Sequence, residues 1–88
     1  MTDIKMYQTN IDIIDLNILD LLEKRMIYSK KIGEIKLKKK KLIYDLNREK
    51  KIIDTIQEKT TLKKNLIKDI WDIIFKYSRD IQISLKYN

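Results

Sequence analysis

The chain has 88 residues, with 20 lysines and arginines against 13 aspartates and glutamates, a formal charge of +7, and no histidine, cysteine or proline. That length bounds the chain to one small domain, and the composition excludes disulfides, thiolate nucleophiles, imidazole bases and the common zinc sites. With a single glycine the punctuation of hairpins and sandwiches is missing, so an all-α fold is predicted, as one helical domain over residues 1–88.

Helical spacing appears first over residues 3–39, where apolar residues recur at three and four. Counted in heptads, Ile11, Ile14, Ile18, Leu21, Ile32 and Ile35 form a seam, with Asp12, Asp15, Asp20 and Glu23 off it. The chain has no alanine, and isoleucine is only a middling helix former, so packing of this seam must hold the helix. At 1.5 Å per residue the helix would be roughly 55 Å long, more than one small domain can cover, which calls for a second subunit beside it.

The seam is lost over residues 36–45, KLKKKKLIYD, which should hold the helix end and a loop. Asp45 then caps a second helix over residues 46–59, with Ile52, Ile53 and Ile56 on its buried side. Thr60 and Thr61 interrupt the pattern and are expected to cap a third helix, over residues 62–86. Its seam comprises Ile67, Trp71, Ile74, Ser78, Ile81 and Leu85. The N-terminus has no signal-peptide core, and nothing approaches the roughly 18 uncharged residues of a membrane span, so a cytoplasmic protein with no membrane partner is expected.

Several polar residues sit where the spacing calls for apolar ones. Arg25 occupies a seam position between Leu21 and Ile32, and a guanidinium withdrawn from water there needs an acidic neighbour or an anionic ligand. Glu49 falls on the buried side of the second helix, and Ser78 intrudes on the third, with Gln82 one turn on. Singly, each has an ordinary explanation as a cap, a flank or a solvated group. Jointly they share a geometry. Arg25 and Lys36 are eleven residues apart, close to three turns, so both project from one helix face about 16 Å apart. Asp45, Arg48 and Glu49 open the second helix. Three helices would thus offer polar groups to one interior space, whose cations suit a small molecule carrying carboxylates.

The run IDIIDLNILDLLEKRMIYSKKIGEIK, followed by YDLNREKKII and later IWDIIFKYSRDIQ, resembles the all-helical class of chorismate mutases over nearly the whole chain. The resemblance implies an intertwined homodimer of three helices per subunit. It also implies the intramolecular Claisen rearrangement of chorismate to prephenate, on the shikimate route to phenylalanine and tyrosine, without cofactor or metal. On the matching positions, Arg25 would grip a substrate carboxylate, and Lys36 and Gln82 would donate to the ether oxygen of the breaking bond. Arg48 would help hold a carboxylate through water, Asp45 and Glu49 would lie near the ring hydroxyl, and Ser78 beside the ring carboxylate. One position departs from the pattern: Gln8 stands where the family has an arginine that reaches into the partner subunit's site. An amide loses the charge-assisted bidentate grip, so weaker substrate binding is expected, with Lys5 one turn earlier as a substitute charge.

Two other readings fit the same residues. A lyase of the same fold that eliminates pyruvate from isochorismate would share the carboxylate grips. A basic helical binding or regulatory module would use Lys36 and the lysines after it on an anionic partner, although no nucleic-acid partner is expected.

Overall fold

The structure, a computed structural model, describes residues 3–87. Three α-helices follow in order, α1 (Asp3–Lys38), α2 (Leu46–Glu58) and α3 (Lys64–Ser84), and a 3-10 turn at Leu85–Tyr87 ends the described chain. No strand occurs among the described residues, as the composition requires, and none of the helices is long and apolar enough to cross a membrane.

Each helix boundary has a local cause. Asp45 caps α2 as expected: its Oδ1 accepts from the Arg48 backbone N–H at 3.0 Å. α1 ends in a Schellman motif, with the Lys40 N–H on the Leu37 carbonyl at 3.2 Å and the Lys41 N–H on the Lys36 carbonyl at 2.8 Å. The left-handed residue of that motif is Lys40, at φ 54°, a position usually given to glycine. The start of α3 corrects the sequence reading. Thr60 and Thr61 do not cap it: Thr60 Oγ1 accepts from the Leu62 N–H at 3.1 Å and so closes a turn inside the linker. α3 begins after Lys63, without a side-chain cap, two residues later than expected.

α3 packs against both α1 and α2, while α1 and α2 have no close backbone contact with each other among the described residues. The gap between them, floored by α3, becomes the site. Ile67 and Ile74 of the expected α3 seam are buried, and Trp71, Ser78, Ile81 and Leu85 are half-buried; Phe75, off that seam, is buried as well. Ile52, Ile53 and Ile56 are half-buried on α2. α1 lies close against α3 at Gly33, where an added Cβ would lie 2.8 Å from Gln82 Cγ and 3.0 Å from Leu85 Cδ1.

The N-terminal half of α1 is uncovered. Every residue from 3 to 21 is exposed, including the seam residues Ile11 at 55% and Ile14 at 53%. Aliphatic side chains at heptad spacing gain nothing from helix formation alone, so this stripe carries stabilising energy that one chain cannot collect.

Candidate functional site

A cavity of about 440 Å³ opens between the three helices. The seam face of α1 turns into it at Arg25, the residue that interrupts the seam, and one to three turns on the same helix supplies Ser29, Ile32 and Lys36. The loop and α2 contribute Ile43, Asp45, Arg48, Glu49 and Ile52; α3 contributes Phe75, Ser78, Arg79 and Gln82. Thus Arg25, Lys36, Asp45, Arg48, Glu49, Ser78 and Gln82, spread over three helices and a loop in the sequence, line one space. Gln8 does not join them. It is exposed on α1, seventeen residues before Arg25, or roughly 25 Å along the axis.

The polar groups are held rather than free. Gln82 is buried, and its Nε2 donates to the Ser29 carbonyl at 3.0 Å, which uses one amide hydrogen and leaves the other. The hydroxyls of Ser29 and Ser78 are hydrogen-bonded to each other, so α1 and α3 are stitched twice beside Gln82. Lys36 Nζ donates to the Ile43 carbonyl at 3.1 Å, which fixes the ammonium against the loop with two donors still available. Glu49 accepts from Arg79 Nη1 on both carboxylate oxygens, at 2.7 and 2.6 Å, and the Arg79 guanidinium also lies 5.1 Å from the Tyr44 ring. The hydrogen bond to Glu49 raises the Arg79 pKa.

Arg25 is different. No carboxylate lies within ion-pair distance of it among the described residues, and its guanidinium sits over Phe75, 5.7 Å from the ring centroid. Burial lowers its pKa from the usual arginine value; the nearby Arg48 charge adds to this and Glu49 opposes it. Of the two partners the sequence demanded for this charge, an acidic neighbour or an anionic ligand, the described residues supply no paired neighbour. The charge balance agrees. With Arg79 and Glu49 neutralising each other, Arg25, Lys36 and Arg48 face only Asp45, an excess of two positive charges. A cavity of this size, with apolar walls and that excess of positive charge, suits a small dianion.

The sequence model for chorismate mutase type II matches residues 7–83, a span that contains every residue lining the cavity. The chain belongs to the chorismate mutase type II family. No curated relative matches the chain. Membership of the chorismate mutase type II family supports a chorismate-mutase-type function in broad terms, with a small-molecule substrate.

Sequence reasoning missed Arg79, Ser29 and Phe75. A signal existed for each of the first two. Glu49 needed a partner for its misplaced charge, and Arg79 adjoins the intruding Ser78; Ser29 lies one turn from Arg25 on the same face. Phe75 is one turn from Trp71 and became a cavity wall only once α1 was laid across α3.

Proposed function

We propose that the chain catalyses the Claisen rearrangement of chorismate to prephenate in the cytoplasm, for phenylalanine and tyrosine biosynthesis. The observation that carries this reading is Arg25, half-buried and without an ion-pair partner among the described residues, facing a cavity with an excess of two positive charges. Chorismate is a dicarboxylate. In the rearrangement the ether C–O bond breaks as a new C–C bond forms, with no proton transfer, nucleophile or redox step. The task of the site is to hold the reactive conformer and to place donors where negative charge grows.

Arg25 and Arg48 would hold the carboxylates, with Ser78 beside the ring carboxylate. Lys36 and the remaining Gln82 amide hydrogen would donate to the ether oxygen. Asp45 and Glu49 would meet the ring hydroxyl, since an ionised carboxylate that accepts from Arg79 retains lone pairs for a second donor. The assembly is a homodimer, in which the uncovered residues 3–21 of α1 lie along a second copy. That arrangement would bring Gln8 of the partner subunit toward the cavity, which its own Gln8 is too distant to reach.

Incubation with chorismate and with isochorismate, followed by chromatography of the products, tests this reading. Prephenate from chorismate supports it. Salicylate and pyruvate from isochorismate, without prephenate, would replace it by the lyase. No product from either, with steeply salt-dependent DNA binding, would replace it by the basic binding module.

A further inference from the structure

A second cavity, of about 230 Å³, adjoins the first at the C-terminal end of α1. Lys36, Ile43 and Gln82 line both, so the two spaces meet at these three residues. Lys40, Lys41 and Lys86 line the second cavity in addition to Lys36, and none of its lining residues is acidic. A helix C-terminus ordinarily repels anions through its unpaired carbonyls. Here the Ile35, Lys36 and Leu37 carbonyls accept from the Lys39, Lys41 and Lys40 N–H groups respectively, which removes much of that repulsion. The sharp left-handed turn at Lys40 brings Lys40 and Lys41 together on the rim, at a position where glycine would sit without strain but would carry no charge.

We propose that this second cavity is an anion vestibule. It captures a small dicarboxylate from solution on Lys40, Lys41 and Lys86 and passes it to Lys36, the one cation that both cavities share. The vestibule rests on the dianionic substrate proposed above, and its ligand class is a small dicarboxylate rather than a nucleic acid or lipid surface, because a cavity of this size admits only a small molecule. Clefts lined by one sign of charge raise the encounter rate of an oppositely charged ligand, and salt weakens the effect.

The test compares the wild-type protein with the triple variant Lys40→Gln, Lys41→Gln, Lys86→Gln on chorismate at low ionic strength. The expected result is a fall of about tenfold in kcat/KM with kcat held, and a flatter dependence of kcat/KM on added sodium chloride. Unchanged kcat/KM, or a fall in kcat, would overturn the vestibule. Lys86→Gln alone, outside the Lys40 turn, should give a smaller loss of the same kind and guards against misfolding of the triple variant. Succinate reads the vestibule apart from the reaction. Saturable NMR shifts of the Lys40, Lys41 and Lys86 ε-methylene groups support it, and their absence overturns it, even if chorismate itself is not turned over.

Discussion

Arg79 Nη1 donates to both carboxylate oxygens of Glu49, at 2.7 and 2.6 Å, and this contact is the polar link between α3 and α2 on the cavity wall. Both side chains are mostly covered, at 23% and 19% exposure, so the pair is screened less than an ion pair on the open surface. Arg79→Gln should lower stability by about 2 kcal/mol, because Glu49 is left partly buried with a weaker donor. It should also lower kcat/KM for chorismate at least about tenfold by releasing Glu49. A single nitrogen makes both bonds, so Arg79→Lys should recover most of the activity. Thermal unfolding and steady-state kinetics on the two variants check this, and equal losses in both would assign Arg79 to its Tyr44 contact instead.

Gly33 controls Gln82. An alanine Cβ at this position would meet Gln82 Cγ at 2.8 Å and Leu85 Cδ1 at 3.0 Å, and Gln82 is buried with its amide on the Ser29 carbonyl. Gly33→Ala should destabilise the fold by about 1–3 kcal/mol, as overpacking does, and reduce kcat more than it changes KM, because Gln82 is assigned to the transition state. Wild-type kcat in this variant would remove Gln82 from its assigned role.

Lys40 holds a left-handed conformation that a side chain resists. Lys40→Gly should raise stability by about 1 kcal/mol in chemical denaturation, through the Schellman turn alone. Since the same change deletes one lysine of the second cavity, stability and kcat/KM should move in opposite directions.

The uncovered α1 residues predict the assembly. Sedimentation of the 10.7 kDa chain should give twice the monomer mass, and a stable monomer would contradict the intertwined arrangement. In that dimer Gln8→Arg should lower KM for chorismate by restoring a charge-assisted grip from the partner subunit, with little effect on unfolding.

Periodicity made the three helices legible, because apolar residues at three and four persist wherever a helix must bury one face. Polar residues that broke the period made part of the site legible: Arg25, Glu49 and Ser78 stood out because each occupies a position that packing reserves for apolar groups. What stayed hidden depended on neighbours far along the chain. Phe75 has no distinguishing spacing, and Arg79 looks like any flank residue until Glu49 is placed opposite it. The threonines misled for a related reason. Thr60 has the chemistry of a cap, but its hydroxyl is used two residues on, and only the backbone path of the linker decides between the two.

Lys36 bridges the loop, the cavity and its entrance, and the central assignment rests on what it does to chorismate. The rate of chorismate consumption by the wild type and by Lys36→Ala, measured side by side with prephenate quantified, tests that assignment most directly. A rate in the variant about 100-fold or more below the wild type is expected, the loss typical of one donor at a developing oxyanion. Equal rates would contradict the assignment of this cavity to the rearrangement.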